Sequence, residues 1–375
     1  MDETESFMIT FIPLTGFLGA GKTTTMTATA LALQAAGHKV AVITNDQGVE
    51  LVDTKLARSQ LDSVAEVTGG CFCCRFEDLV EAVVGLVDSD AVDTVIAEAV
   101  GSCTDLQATV VRPLRRYYGD SMVVTPLTTV LDPFRYQAFS RAAERGEPES
   151  DLSYLFRQQL IEADVIALNK LDLLPADKAT TMLGKLRQDY PNAVVVGYSA
   201  TQGEGVSSLL NAWEGPSTNE DVILDVDYDR YAAAEAQLAW MNQELQVSAS
   251  GESLDPTAWA HQVLTHLSQW SAQQGAVIGH AKLTVELPDG DFVKLSLTEA
   301  GAEPTTDRTA AATSDEVRAV VNARVAVEPD QLDTAVTAAV AAADLATGAT
   351  SSATSPVSFK PGYPTPVHRL AAAGA

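Results

Sequence analysis

Gly16-Phe-Leu-Gly-Ala-Gly-Lys22-Thr23 follows an apolar run, residues 8–14, and opens a helix-forming stretch, 22–36. It fits the pattern G-x-x-x-x-G-K-S/T, and the strand before it and helix after it are the context a phosphate-binding loop requires. Gly16, Gly19, Ala20 and Gly21 are expected to turn backbone N–H groups toward phosphates at a helix N-terminus. Lys22 is expected to reach the β- and γ-phosphates, the Thr23 hydroxyl to ligate magnesium, and Thr24 to complete the cradle.

Outward from this loop, short apolar runs alternate with helical stretches as far as residue 214. That rhythm predicts an α/β P-loop domain, a mostly parallel sheet covered by helices, over residues 7–215. The predicted strands are 8–14, 39–44, 92–97, 123–131, 165–168 and 193–197; the predicted helices include 22–36, 77–87, 153–162 and 176–189. Pro13 offers no ladder hydrogen bond and is expected at the end of the first strand. After a turn-rich linker at 215–221, residues 221–343 read as a smaller α+β domain. There 235–247 is ambiguous between helix and strand, and Asp255-Pro-Thr opens a helix to about 272. Strands 280–287 and 292–298 flank the hairpin turn Pro288-Asp-Gly-Asp. A strand at 319–327 precedes a helix with Pro329 in its first turn. The Ser/Thr/Ala/Pro-rich stretch 344–375 is expected to be a disordered tail.

Asn169-Lys-Leu-Asp172 stands directly after an apolar run and reads as the guanine-recognition motif N-K-x-D. The Asp172 carboxylate can accept both N1–H and the exocyclic amine of guanine, donors that adenine does not place there. Asn169 is expected to brace the loop and Lys170 to lie along the base. Ser199 and Ala200, after the next strand, fall where a backbone loop would touch the guanine oxygen. Glu98 ends a buried strand, where magnesium or its water needs a carboxylate. Asn45 and Asp46 end the second strand and are either γ-phosphate-side residues or a turn-forming pair. Lys22, Thr23, Asp46 and Glu98 are thus the expected catalytic set. Cys71, Cys73 and Cys74 follow Gly69-Gly70; thiolates at i, i+2 and i+3 can converge on one transition metal and leave a fourth position open. Cys103 reads as a buried small hydrophobe.

With these motifs in place, the sequence resembles the CobW/HypB/UreG family of GTPases, and most closely its CobW-type branch. The resemblance rests on residues 16–24, Asn45-Asp-Gln-Gly48 with Asp53, 70–74, Glu98-Ala-Val-Gly101 and Asn169–Asp172. It implies that Glu98 sits near magnesium and that Asn45 and Asp46 belong to a first switch. The activity it implies is GTP hydrolysis coupled to handling of zinc, cobalt or similar ions. GTP, Mg2+ and Zn2+ or Co2+ are therefore the expected ligands, and a client metalloprotein or corrinoid-related protein the expected partner. Homodimerisation is left open. A GTP-binding module with a purely structural zinc, or an accessory GTPase for a corrinoid enzyme, stand as alternatives. The Asn169–Asp172 motif and the lack of an evident acceptor lid disfavour a P-loop kinase. Three departures from the family pattern stand out: Asp46 where Glu is usual, apolar Ala99 and Val100 where small polar residues are common, and no histidine-rich tract.

The net charge of −26 argues against binding nucleic acid through its phosphates, and such an acidic surface would suit a high-salt interior. The acidic N-terminus lacks the basic start of a signal peptide, and no apolar run approaches the roughly 20 residues a membrane span needs. A cytoplasmic location is expected, and reducing conditions there would keep the cysteines as thiols.

Overall fold

The computed structural model describes residues 8–46, 54, 57–90, 92–219, 222, 224–251, 253–353 and 357–371. Gln47, Gly48 and Asp53 of the family motif lie outside the described residues. The chain forms two compact units: residues 1–47, 53–234 and 363–375 cluster in the first, and residues 235–362 in the second. The division falls later than the expected linker, and the chain returns to the first unit at its C-terminal end.

The first unit is built on a parallel sheet. Its strands are β1 (Ile9–Thr15), β2 (Val40–Asn45), β3 (Val64–Val67), β4 (Thr94–Glu98), β5 (Met122–Val124), β6 (Thr128–Leu131), β7 (Val165–Leu168) and β8 (Val194–Gly197). They lie in the order β3-β2-β4-β1-β6-β7-β8, with β5 also on β1. The central strands β2 and β4 are buried at every position, as a sheet covered on both faces requires. Helices Lys22–Ala35, Phe76–Asp90, Asp151–Ile161 and Ala176–Asp189 occupy the predicted stretches. Helices at Pro133–Glu144 and Val206–Trp213, and the edge strand β3, were not anticipated. The run expected as one strand at 123–131 breaks into β5 and β6, with Pro126 between them. Residues 228–236, partly within the stretch expected to be ambiguous, are helical.

Pro13 corrects its expected placement, because it lies inside β1, a central strand, opposite Ala97 of β4. The missing N–H is tolerated for a specific reason. On its other side β1 pairs with β5 at Ile9–Phe11 and with β6 only from Leu14. Pro13 falls in the interval between these two ladders.

The second unit is an antiparallel sheet: β9 (Ala239–Ala249), β10 (Ile278–Glu286), β11 (Phe292–Leu297), β12 (Thr305–Arg308), β13 (Glu316–Val325), β14 (Ala349–Ala353) and β15 (Val357–Phe359). Its order is β12-β11-β10-β13-β9-β14, with β15 also on β9. Helices Pro256–Gln274 and Pro329–Thr347 pack their apolar residues, Trp259, Leu264, Leu332 and Val336 among them, against one sheet face. Asp255 caps the first of these by accepting from the N–H groups of Thr257 and Ala258.

The expectation of a disordered tail from residue 344 does not hold for the described residues. The helix runs on to Thr347, and β14 and β15 then add to the free side of β9. Backbone pairing to an existing edge needs no apolar side chains, so composition missed it. Asp344 fixes the entry, accepting from Ser351 N–H at 2.8 Å and Ser351 Oγ at 2.7 Å.

Candidate functional site

β1 lies between β4 and β6: the chain runs from β1 past β4 to β2 on one side and later from β4 across β1 to β6 on the other, and in open parallel sheets ligands bind at the C-terminal strand ends of such a switch point. The glycine-rich loop begins there. At Gly16, with φ +135°, a Cβ would sit 2.1 Å from the Val130 carbonyl oxygen, so the loop can leave the sheet only at glycine. Helix Lys22–Ala35 starts at Gly21 with no acidic residue in its first turn, which leaves its positive end free for an anion. Lys22 Nζ donates to the Gly16 carbonyl at 2.9 Å, holding the ammonium over its own loop. The Thr23 hydroxyl donates to both carboxylate oxygens of Glu98, at 3.0 Å each, and both residues are buried. A hydroxyl and a carboxylate brought together at the helix start form an oxygen donor set that suits magnesium. Thr24 is the next residue of that first turn.

Asn169 links three segments of the chain. Its Nδ2 donates to the Ala20 carbonyl at 3.2 Å, and its Oδ1 accepts from the N–H groups of Lys170 at 2.8 Å and Ala200 at 3.0 Å. One side chain thereby ties the phosphate loop to the loop carrying Ser199 and Ala200. Asp172 is exposed, and Ser199 Oγ accepts from Gln202 N–H. Lys170 adopts the left-handed backbone region, and its Nζ donates to the Gly19 carbonyl at 2.8 Å and to Asp132 at 2.6 Å. Asp132 was not anticipated, although Asp132-Pro133 after an apolar run is a readable helix start: it caps helix Pro133–Glu144 through Arg135 N–H.

Asn45 turns its side chain onto the cysteine loop. Its Nδ2 donates to the carbonyls of Val67 at 2.9 Å and Gly70 at 2.8 Å, and its Oδ1 accepts from Phe72 N–H at 3.1 Å. The side chain thus spends its polar groups on the cysteine loop. Asp46 follows it, half-buried, with its backbone N–H on Val67 O.

The cysteine loop is a tight turn in which both Cys74 and Arg75 N–H groups donate to the Cys71 carbonyl at 2.9 Å, before helix Phe76–Asp90 begins. Cys71 and Cys73 are buried and Cys74 partly exposed. Their sulfurs converge: 2.8 Å for Cys71–Cys73, 3.5 Å for Cys71–Cys74 and 3.8 Å for Cys73–Cys74. Metal–sulfur bonds of ~2.3 Å in a tetrahedron place sulfurs ~3.8 Å apart, so two separations already fit and the third must open. The chemistry of this donor set suits zinc or a similar thiophilic ion.

Cys103 is fully buried and lies outside the group of three sulfurs, Cys71, Cys73 and Cys74, that are all within 4.8 Å of one another. Hydrogen bonding to neighbouring thiols, Cys103 first, holds the Cys71 thiol well below the ordinary thiol value and pushes Cys73 well above it. The chain beyond Tyr363 also reaches this site. Val367 N–H donates to the Cys73 carbonyl at 2.8 Å, and the Thr365 backbone bonds the Cys74 thiol. His368 packs edge-on against Phe76, while Arg369 Nε donates to the buried Asp105 at 2.7 Å. Proximity of segments more than 250 residues apart leaves no sequence signal.

A switch-point phosphate loop, an acid-paired threonine and an N-K-x-D loop braced against it define a P-loop nucleotide-binding protein. Residues 10–196 match the CobW/HypB/UreG nucleotide-binding domain. The chain is 29% identical to Zinc-regulated GTPase metalloprotein activator 1 of Dictyostelium discoideum over 210 residues, covering 48% of this chain and 43% of that protein. To the zinc chaperone CobW of Pseudomonas aeruginosa it is 28% identical over 221 residues, 51% of this chain and 56% of that one. Against the zinc chaperone YjiA of Escherichia coli identity rises to 40%, but over 77 residues, 20% of this chain and 24% of the other. The chain spans about half the length of the curated relatives it matches. No helix among the described residues is long and apolar enough to cross a membrane.

Proposed function

We propose that this protein binds and hydrolyses GTP and couples the nucleotide state to holding and delivering a transition metal, zinc or cobalt, to a client protein. One observation carries the coupling: Asn45, at the end of β2, holds Gly70 and Phe72 of the cysteine loop, while Glu98, at the end of neighbouring β4, holds Thr23 at the nucleotide side. Adjacent strand ends thus carry the two halves of the machine.

In this reading the loop amides and Lys22 bind the triphosphate, and Thr23 and Glu98 orient the oxygens around magnesium. Magnesium supplies neutralisation of charge developing on the β- and γ-phosphate oxygens. Asp172 selects guanine by accepting two hydrogen bonds. Asp46 lies beside the cysteine clamp and is the group able to report the γ-phosphate to it. Every motif found lies upstream of residue 215, so the antiparallel unit serves client contact. The similarity to zinc chaperones supports zinc as cargo.

Chelator competition for Zn2+ in GTP-analogue and GDP forms tests this. A coupling of about 1–3 kcal/mol appears as a shift of roughly five- to 150-fold between the two forms. Equal affinities in both would make the thiols a structural zinc site and the protein a GTP-binding module. Asp172→Asn should move preference from guanosine toward xanthosine nucleotide, because an amide donates where the carboxylate accepted. Unchanged preference would refute the assignment of base recognition.

A further inference from the structure

The strap formed by residues 361–370 carries proline at 361, 364 and 366, which removes backbone donors and keeps the segment out of helix or ladder. It is nevertheless fixed at several points. Val367 N–H donates to the Cys73 carbonyl of the cysteine loop at 2.8 Å. Leu370 N–H donates to the Ala108 carbonyl at 2.8 Å, and Leu370 O accepts from Arg112 Nη1 at 3.1 Å. Ala108 accepts this bond for a reason. Residues Gln107–Val111 form a π-helical turn in which Arg112 N–H donates to Gln107 O, and the residue that would serve Ala108 O in that pattern is Pro113, which has no N–H. Leu370 supplies the donor the helix itself lacks. Beside it, Arg369 Nε donates to Asp105 at 2.7 Å and Nη2 to Leu224 O at 2.9 Å. Asp105 is buried, has a left-handed φ of 63° and also accepts from Tyr228 Oη at 2.8 Å.

We propose that residues 365–370 are a latch on the metal loop: closed, with Arg369 on Asp105, the strap shields Cys71, Cys73 and Cys74, and open, it lets the metal enter and leave. The inference rests on the reading of the cysteine loop as a metal site and adds control of access to it. Prolines ahead of Val367 stiffen the strap and lower the entropy lost on closing, so a few contacts hold it. The bond from Arg369 to a buried carboxylate is charge-assisted, while the exposure of Arg369 itself lets water take over when the strap lifts. His368 packs the strap onto the helix that follows the cysteines, with ring centroids 4.9 Å from Phe76, and leans on Tyr117 at 5.2 Å. The anchors lie on two segments, Cys73 on the cysteine loop and Asp105, Ala108 and Arg112 on the chain leaving Glu98. The latch therefore joins the metal loop to the segment that follows the carboxylate of the nucleotide side.

A latch changes the rates of loading and release together and leaves equilibrium affinity nearly unchanged. The test is stopped-flow transfer of Zn2+ to and from a chromogenic chelator, with equilibrium competition alongside, on the full chain as wild type, Arg369→Ala, Arg369→Lys and Val367→Pro. A hydrogen bond between charged groups shifts a two-state balance by roughly ten- to 100-fold, and the 44% exposure of the Arg369 side chain places this one at the lower end. Arg369→Ala should therefore load and release Zn2+ about tenfold faster. Arg369→Lys keeps a cation for Asp105 and should restore much of the slow exchange. Val367→Pro removes the bond to Cys73 without touching Asp105 and should also speed both directions. The two anchors are separate, so either variant decides the matter if the other folds poorly. Unchanged rates in Arg369→Ala and Val367→Pro would overturn the latch and leave the three-cysteine site standing. Faster release with weaker affinity and unchanged loading would also overturn it, because the strap would then only brace the site. Absence of stoichiometric zinc binding in the wild type would overturn both readings.

Discussion

Replacing Asn45 by Ala separates a residue that senses phosphate from one that holds the metal loop. The side chain makes three hydrogen bonds to the loop region, to Val67 O, Gly70 O and from Phe72 N–H. Val67 O also accepts from Asp46 N–H at 3.2 Å and stays satisfied in the variant. Gly70 O and Phe72 N–H would lose this partner. Leaving a buried donor or acceptor unpaired costs about 1–3 kcal/mol each, so the loop conformation loses about 2–6 kcal/mol. Water entering at Gly70 would bring the cost toward the lower end. At 1.4 kcal/mol per factor of ten, ~2 kcal/mol corresponds to metal affinity about 30-fold weaker. Asn45→Ala should therefore weaken Zn2+ binding by about that factor in chelator competition, with GTP-analogue affinity nearly unchanged by calorimetry. Circular dichroism confirms that the variant is folded. The opposite pattern, intact zinc binding with lost GTP affinity or turnover, would refute the clamp and return Asn45 to the nucleotide.

Glu162 gives a pH prediction. Burial first, and then the neighbouring Asp105 carboxylate, push its carboxyl up to about 8. The unfolded group releases its proton near pH ~4.3, so between there and about pH 8 the folded chain holds a proton the unfolded chain lacks, and stability falls as pH rises through that window. Glu162→Gln should remove that dependence, the wild-type deficit growing by on the order of 1 kcal/mol per pH unit in urea denaturation from pH 5 to 8; a pH-independent difference would refute it. Removing residues 363–375 takes away the Val367 bond to Cys73 and leaves Asp105 without its Arg369 partner. The expected results are a lower Tm and severalfold faster alkylation of the clustered thiols, and an unchanged alkylation rate would show that this segment does not cover them.

The phosphate loop was legible because its chemistry is local: eight consecutive residues supply the turn, the amides, the lysine and the hydroxyl. The same holds for Asn169–Asp172 and for the spacing of Cys71, Cys73 and Cys74. Strand positions in the first unit were readable because a sheet buried on both faces leaves continuous apolar runs. Pro13 misled because a ladder gap between β5 and β6 is a property of three strands and not of one.

What only the tertiary structure decided concerns groups whose partners are remote in sequence. Asn45 could be assigned to a phosphate or a turn from its neighbours alone; the parallel pairing of β2 with β3, Asn45 opposite Val67, is what turns its amide onto Gly70 and Phe72. The tail read as disordered because its residues carry little apolar surface, and its order comes from backbone pairing with β9 and from Asp344. Hydrophobic pattern and contiguous motifs are written along the chain, so the sequence alone determined the α/β scaffold and its phosphate loop. Hydrogen-bond partners across strands depend on sheet order and register, which no single segment encodes.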